Sequence, residues 1–340
     1  MLTKRTFLSL AFGGALAVAA AAPAPAQTPV TLSTGWIISG DGAPLVLAEK
    51  EGLFAQGGVK IDIVRGFGSA DVVTKIAAGT YQAGTGYLPA LVQAIAKDPN
   101  FDAIAVLIAF DASPDGITGP KKTGIAKPTD LAGHKIATQP NSTTKLTFLP
   151  FAQAVGIDPA SITWVEVSPD LLGVTVQQGQ ADGVAQFTAT ANANFSKFGF
   201  APDQLYQFKY SDYVDNLYGN GLILKKSWAA ANPEAAKAVV RAYVKGLLAS
   251  HKDPKAAIDA LMAKEPLLTR AAEQVSLDYA LANYFFTKRV LEKGIGYQTS
   301  SDVDAFIKLL AKPFSLPRVP TAAEVYTDAY LPPATERMVR

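Results

Sequence analysis

Strand-like and helix-like segments alternate along most of this chain, and this alternation restricts the fold more than any other feature of the sequence. VKIDIVRG alternates apolar and polar residues as a half-buried strand does, and the next segment, GFGSADVVTKIAAGTY, turns into a helix pattern. Strand and helix patterns continue to alternate in this way up to residue 111. This order predicts a largely parallel sheet covered by helices, which is the α/β class.

The alternation breaks at DASPDG (residues 111–116) and then restarts, so the chain contains a second α/β section. Because 340 residues are more than one core usually holds, we predict two α/β lobes, the first over residues 27–111 and the second over residues 112–227. From about residue 232 the pattern is almost entirely helical. Residues 228–340 are therefore predicted to form a helical C-terminal tail.

The first 26 residues have the composition of a targeting segment. Lys4 and Arg5 precede an uncharged run, and small residues at positions 24 and 26 follow it. This is the three-part pattern of a cleavable secretory signal, so we predict that residues 1–26 are removed. An uncleaved membrane anchor is the alternative, but two prolines interrupt the apolar run before it is long enough to span a bilayer. The pattern leaves open the general and the twin-arginine export routes.

Charge and cysteine content limit the possible partners and the compartment. Without residues 1–26 the chain has 29 basic and 29 acidic residues and no basic cluster, which disfavours a nucleic-acid partner. The sequence has no cysteine, so it has neither disulfides nor a site for a lipid on an N-terminal cysteine. We expect a periplasmic monomer that is not anchored by lipid.

The sequence offers little for catalysis. Its two histidines, His134 and His251, have no second histidine or carboxylate at metal-ligand spacing, and no GxSxG motif occurs. GFGSAD departs from the dinucleotide fingerprint because Asp71 stands at the third glycine position. We therefore predict no catalytic residue, no metal and no cofactor.

Two loops offer helix starts that suit a polar ligand group. In GFGSAD two glycines permit a tight turn after a strand, and Ser69 is expected to cap the following helix. TQPNSTT repeats this arrangement in the second lobe, where Asn141, Ser142 and Thr143 supply caps and hydroxyl groups. Free N–H groups at such helix starts attract anions and carbonyl oxygens, although each segment is also compatible with an ordinary βα turn.

Aromatic residues follow several predicted strands. Each one alone is compatible with core packing, but together they stand at the carboxyl ends of strands, where open α/β sheets bind ligands. A flat or apolar ligand would stack on such rings, and Gln186 and Asn220 would supply amide hydrogen bonds. The aromatic residues are Trp36, Tyr87, Phe110, Phe187 and Tyr218.

Five segments, in the same order, resemble the solute-binding proteins of ABC importers, in the class that serves nitrate, sulfonates, taurine and thiamine pyrimidine precursors. Together they extend over most of the chain after the signal. The segments are DGAPLVLAEKEGLFAQGGVKIDIV, GFGSADVVTKIAAGTYQAGTG, GIAKPTDLAGHKIATQPNSTT, ITWVEVSPDLLGVTVQQGQADGVAQF and YGNGLILKKSWAAANPEAAKAVVRAYVKG.

This resemblance implies a type II periplasmic-binding-protein fold, in which hinges join two lobes and the ligand is enclosed in the cleft between them. It also implies that the helical tail belongs to the first lobe and that the partner is an inner-membrane permease. The backbone of SGDGAP is expected to approach the ligand closely. With the aromatic positions included, the candidate ligand-binding residues are Trp36, Gly40, Asp41, Gly42, Ser69, Tyr87, Phe110, Asn141, Ser142, Thr143, Gln186, Phe187 and Tyr218.

One departure from the family pattern bears on the ligand. Tyr87 and Gln186 stand where many relatives have an acidic residue, so a neutral or anionic ligand fits better than a cation. The expected function is capture of a small aromatic or heteroaromatic solute, either pyrimidine-like or an aromatic carboxylate, by closure of the lobes. An alkanesulfonate- or taurine-binding protein is the alternative. An enzyme on the same fold and a sensor subunit also remain open.

Overall fold

A computed structural model describes residues 27–140 and 142–339 of the chain. The predicted secretory signal and Asn141 lie outside the described residues. Within them the chain forms two five-stranded sheets, and helices pack on both. The two-section alternation predicted from the sequence therefore produces two lobes, each built around one sheet.

The first sheet has the strand order β2-β1-β3-β10-β4. Strands β2, β1 and β3 pair in parallel, and β10 is inserted antiparallel between β3 and β4. Its strands are β1 (Thr28–Ser33), β2 (Val59–Val64), β3 (Ala83–Tyr87), β4 (Ala103–Ile108) and β10 (Asn220–Lys225).

The second sheet has the same arrangement, with the order β7-β6-β8-β5-β9. Strands β7, β6 and β8 are parallel, and β5 pairs antiparallel with β8 and β9. Its strands are β5 (Asp115–Pro120), β6 (Lys135–Thr138), β7 (Thr163–Glu166), β8 (Gly183–Phe187) and β9 (Leu205–Lys209).

The structure corrects the predicted end of the second lobe at residue 227. Strand β10 belongs to the first sheet, where Leu222, Ile223 and Leu224 are fully buried between β3 and β4. The chain therefore crosses back before residue 220. Because this strand enters from the other lobe, it runs antiparallel to its neighbours, which makes the largely parallel sheet predicted from the sequence a mixed one.

Fifteen α-helices occur in the described residues. None of them is both long enough and apolar enough to cross a membrane. The helices are α1 (Ala43–Lys50), α2 (Leu53–Gln56), α3 (Ser69–Ala78), α4 (Leu88–Lys97), α5 (Thr143–Val155), α6 (Leu172–Gln177), α7 (Thr188–Lys197), α8 (Lys226–Ala231), α9 (Pro233–Lys252), α10 (Pro254–Lys264), α11 (Arg270–Ala280), α12 (Lys288–Lys293), α13 (Ser300–Ala311), α14 (Ala322–Val325) and α15 (Ala334–Arg337).

The helical tail packs against the first sheet. The apolar face of α9, which includes Val240 and Leu247, is buried in the same cluster as Leu32 of β1 and Leu45 of α1. Burial of apolar area of this kind is the main stabilising contribution in such a core. The tail therefore forms part of the first lobe's core.

Two crossing segments connect the lobes, residues 109–114 between β4 and β5 and residues 210–219 between β9 and β10. Arg289 of α12 binds both of them. It forms an ion pair of 2.8 Å with Asp111 in the first segment and donates to Asn216 and Tyr218 in the second at 3.2 and 3.1 Å. The tail thus fixes the geometry of both crossings.

Candidate functional site

The strand order places a switch point in each sheet, between β1 and β3 in the first and between β6 and β8 in the second. Open α/β sheets bind ligands at the carboxyl ends of strands beside such switch points. Tyr87 ends β3 and Phe187 ends β8, and their ring centroids lie 5.6 Å apart in an edge-to-face arrangement. We call the carboxyl ends of the strands beside each switch point the switch edges. The two switch edges therefore meet, and two of the aromatic residues predicted from the sequence touch across the lobes.

A buried carboxylate joins these edges. Asp115, the first residue of β5, is fully buried, and its carboxylate accepts hydrogen bonds from the hydroxyl groups of Tyr87, Thr144 and Thr147. The two threonine bonds are 2.6 Å long. Tyr87 comes from the first lobe and both threonines come from α5 of the second. We call Tyr87, Asp115, Thr144, Thr147 and Phe187 the interlobe cluster.

Burial sets the electrostatics of this cluster. It raises the pKa of the Asp115 carboxyl, and the hydroxyl hydrogen bonds lower that pKa in part. Burial, together with the charge on Asp115, raises the pKa of the Tyr87 phenol well above its usual range. Tyr87 is therefore a hydrogen-bond donor at neutral pH.

Asp115 is a site residue that the sequence patterns do not predict. It lies in the break between the two α/β sections, and an aspartate between proline and glycine is typical of a turn. The three hydroxyl donors lie 28 to 32 positions away along the chain, so no local pattern links them to it. A charged residue entering an otherwise uncharged strand, DGITGP, was the available signal.

The loops after β1 and β2 form the first-lobe side of the site. Gly66 N–H donates to the Trp36 carbonyl and Gly68 N–H to the Gly35 carbonyl, both at 3.1 Å. Gly68 has a φ of 121°, which residues with a β-carbon rarely adopt, so the turn into α3 requires glycine. The Trp36 side chain remains half exposed, at 51%.

The predicted capping role of Ser69 is wrong. Gly68 is the N-cap of α3, and the Ser69 hydroxyl accepts a hydrogen bond of 2.9 Å from the backbone N–H of Tyr87. This bond satisfies the N–H at the end of β3 and fixes Tyr87 beside the loop. Within the described residues, the first-turn N–H groups of Ser69 and Ala70 have no hydrogen-bond acceptor.

In the second lobe the predicted helix start is confirmed. Ser142 is the N-cap of α5, and its hydroxyl accepts from Lys145 N–H at 3.4 Å. Thr143 is the first residue of the helix and is partly buried, while Asn141 lies outside the described residues. The helix start therefore lies directly beside the two threonines that bind Asp115.

Several buried polar atoms around the cluster have no hydrogen-bond partner within the described residues. They include Nε2 of Gln186, Oδ1 of Asn220, Oγ1 of Thr138 and the hydroxyl of Tyr210. Gln186 precedes Phe187 in β8, and Asn220 is the register partner of Tyr87 in the first sheet. Unpartnered buried polar atoms are rare, and those of Gln186 and Asn220 lie at the two switch edges, one in each sheet.

Two predicted aromatic site residues instead pack against residues of the tail. Phe110 is 2% exposed, and its ring lies between Tyr284 and Phe285, with centroids 5.2 and 4.7 Å away. Tyr218 is fully buried and bound by Arg289. Contacts with the tail therefore bury both rings. Their position at strand ends alone did not indicate that they pack in the core.

The turn Gly40–Gly42 makes a close backbone approach, but to a helix. The N–H of Gly40 donates to the Glu273 carboxylate of α11 at 2.7 Å, and a β-carbon on Gly40 would lie 2.2 Å from the Glu273 carbonyl oxygen. Asp41 accepts from the Ser39 hydroxyl at 2.6 Å, and burial raises the pKa of Asp41. The glycine at position 40 is thus explained by packing against α11.

Both histidines lie outside the cluster. His134 precedes β6, at the amino end of the parallel strands, where its Nδ1 is 3.0 Å from the Asp182 carboxylate. His251 is in the last turn of α9 and stacks on Phe286. The described residues contain no group of histidine, aspartate or glutamate side chains arranged to hold a metal ion.

Solved structures with similar architecture include two sulfonate-binding proteins. The periplasmic aliphatic sulphonate binding protein SsuA from Escherichia coli superposes with a TM-score of 0.68 at 16% identity, over 88% of this chain and 92% of that one. The alkanesulfonate-binding protein SsuA from Xanthomonas axonopodis pv. citri gives 0.65 at 18% identity, over 90% and 99%. These similarities confirm the predicted two-lobed periplasmic-binding-protein fold.

Relatives identified by sequence include an enzyme and a binding protein. A 4-amino-5-hydroxymethyl-2-methylpyrimidine phosphate synthase from Legionella pneumophila is 21% identical over 89% of this chain and 92% of its own length. The taurine-binding periplasmic protein of Escherichia coli is 25% identical over 59% of this chain and 61% of its own. The family model described as NMT1/THI5 like matches residues 40–257, well over half of the chain. The chain therefore belongs to the NMT1/THI5-like family.

Proposed function

We propose that this protein is the extracytoplasmic solute-binding subunit of an ABC importer and that it captures a small planar aromatic or heteroaromatic solute between its lobes. The observation that carries the proposal is the pair of unpartnered amide atoms, Nε2 of Gln186 and Oδ1 of Asn220, beside the Tyr87–Phe187 ring pair. One amide comes from each sheet. A solute that bonds both holds the lobes together, which is the closure mechanism of such proteins.

The chemistry of these two atoms favours a particular kind of solute. Gln186 offers an N–H donor and Asn220 offers an oxygen acceptor. A heteroaromatic ring with a ring nitrogen or carbonyl next to an N–H group satisfies both, and its faces pack on apolar rings. An alkanesulfonate presents acceptors alone and would leave the Asn220 oxygen without a partner, whereas taurine has an ammonium donor but no ring to pack on Tyr87 and Phe187. An alkanesulfonate or taurine is therefore the second candidate.

Family membership and the taurine-binding relative support a transport role. The sequence pattern of residues 1–26 supports export to the periplasm, where a freely diffusing subunit would deliver its solute to an inner-membrane permease. The synthase relative favours the competing enzymatic function. Against that function, both histidines lie outside the interlobe cluster and the sequence has no cysteine nucleophile.

Thermal melting of residues 27–340 against pyrimidines, aromatic carboxylates and alkanesulfonates tests the proposal. A solute at about 100 times its dissociation constant adds about 2.7 kcal/mol to stability, which for a chain of this size raises the midpoint by about 5 °C. Gln186→Leu and Asn220→Leu are each expected to weaken binding of the active solute about tenfold. Gln178→Leu, at an exposed glutamine of the same lobe as Gln186, is the control for both variants.

Two results would redirect the assignment. Midpoint shifts produced by sulfonates alone would move the function to the second candidate. Conversion of a bound solute into a product by the purified protein would identify an enzyme, and the binding-protein assignment would then be abandoned.

A further inference from the structure

An exposed apolar lip borders the first-lobe switch edge. Trp36, Ile37 and Phe67 have 51%, 41% and 66% of their surface exposed. Their loops follow neighbouring strands β1 and β2 and are held together by the backbone hydrogen bonds from Gly66 and Gly68. We call residues 35–37 and 65–68 the outer lip.

The outer lip also contains a cation without a counter-ion. The guanidinium carbon of Arg65 lies 5.0 Å from the centroid of the Phe67 ring, a cation–π distance. Lys75 approaches the same ring at 5.6 Å but pairs with Asp71 at 2.9 Å. Among the described residues, Arg65 has no carboxylate within ion-pair distance, so its guanidinium remains available to an anion from solution.

The interlobe cluster has the opposite electrostatic character. Its charged group is the Asp115 carboxylate, which is held by hydroxyl groups and has no lysine or arginine among its hydrogen-bond partners in the described chain. An anionic group brought beside this carboxylate would be repelled, and the repulsion is strong where water is excluded. The anion of a solute would therefore be more stable at the outer lip than inside the cluster.

We propose that Arg65 binds the carboxylate of a planar solute whose opposite edge bonds Gln186 and Asn220, so that the solute class is an aromatic or heteroaromatic acid. This inference rests on the proposed function and names its substrate class. Trp36 and Phe67 flank the part of the ring that emerges from the cluster. The planar guanidinium of arginine matches a carboxylate with two parallel hydrogen bonds, which lysine does not reproduce.

Calorimetric titration of the purified protein with matched acids and amides tests this proposal. The probe pairs are orotate with orotamide and 6-hydroxynicotinate with 6-hydroxynicotinamide, whose rings carry a carbonyl next to an N–H group on the edge away from the acid or amide. We expect the acid of at least one pair to bind about tenfold more tightly than its amide. Arg65→Gln is expected to weaken binding of the acid about tenfold and to change that of the amide less than twofold. Raising the salt concentration should narrow the difference, because Arg65 is exposed.

Lys60→Gln is the matched control, because it removes one positive charge at the other end of β2, where Lys60 is also exposed. It should leave both affinities unchanged. Amides that bind as tightly as acids, or equal losses for both in Arg65→Gln, would overturn the role of Arg65 while leaving the proposed function intact. If neither acids nor amides bind the wild-type protein, the proposal of a planar solute fails, and the role of Arg65 fails with it.

Discussion

Two aspartates four positions apart, Asp111 in the first crossing segment and Asp115 at the start of β5, are both buried, yet they are held in different ways. Asp111 is bound by donors of the tail, with Arg289 and Gln298 Nε2 each at 2.8 Å and the Thr287 hydroxyl as a third donor. Asp115 is bound by hydroxyl groups, which include that of Tyr87. One carboxylate therefore has a fixed counter-ion, and the other is held by uncharged donors.

This difference separates a structural joint from a candidate binding site. A paired buried carboxylate with its charge neutralised holds the crossing segments rigidly, and removing its partner is costly. Asp115 has no counter-ion among its hydrogen-bond partners in the described chain, and burial raises the pKa of its carboxyl. We infer that Asp111 sets the path of the hinge and that Asp115 responds to what enters the cleft.

The largest expected effect on stability comes from breaking the ion pair between Arg289 and Asp111. Arg289→Met leaves the Asp111 carboxylate, whose side chain is 3% exposed, without its counter-ion, and should lower the free energy of unfolding by about 3 kcal/mol. Urea denaturation measures this. The double variant with Asp111→Asn should recover part of the loss, because it also removes the unpaired charge.

Lys288→Met provides the control for that experiment. Lys288 is adjacent in α12, and its side chain is 90% exposed, with a weak 4.0 Å contact to Glu292. A change below about 0.5 kcal/mol is expected. If Arg289→Met proves equally mild, the view of Asp111 as the rigid joint must be given up.

A smaller effect on stability is expected when a hydrogen bond to Asp115 is removed. Tyr87→Phe removes one of the donors to Asp115 and should lower the unfolding free energy by about 2 kcal/mol. Tyr210→Phe is the matched control, because Tyr210 is equally buried but its hydroxyl has no partner among the described residues. That change should be neutral or stabilising. Equal losses in the two variants would show that the bond to Asp115 contributes nothing.

The pH dependence of stability should distinguish the aspartates further. Burial raises the pKa of Asp115 in the folded protein, so its favourable contribution is complete below the unfolded pKa of about 4 and is lost as the pH rises through the folded pKa. Asp115→Asn should therefore flatten the decline in melting temperature above pH 4. Asp170→Asn, at an exposed aspartate of the second lobe, controls for the lost charge. An unchanged slope in Asp115→Asn would contradict the assignment.

The smallest effect on stability is expected at the outer lip. Trp36 is half exposed, so Trp36→Ala should change the unfolding free energy by less than about 0.5 kcal/mol. If its ring borders the solute, affinity should nevertheless fall about tenfold, which fluorescence or calorimetric titration would detect. Unchanged affinity would exclude Trp36 from the site.

The sequence predicted those features that depend on neighbouring residues. The alternation of strand and helix patterns gave two α/β lobes, and the hydroxyl-rich segment after β6 gave the helix start at Ser142. Strand ends were located well enough to name Tyr87 and Phe187, which meet across the lobes. Such features follow from the hydrophobic period and from capping, both of which act over a few residues.

The tertiary structure decided what depends on distant partners. It placed β10 in the first sheet, packed Phe110 between two rings of the tail, and brought Asp115 to hydroxyl groups from both lobes. Strand pairing and side-chain burial depend on residues tens to hundreds of positions away, and a local pattern contains no information about them. The sequence alone therefore determined the lobes and the strand ends, whereas long-range packing decided which strand-end residues face the cleft and which are core.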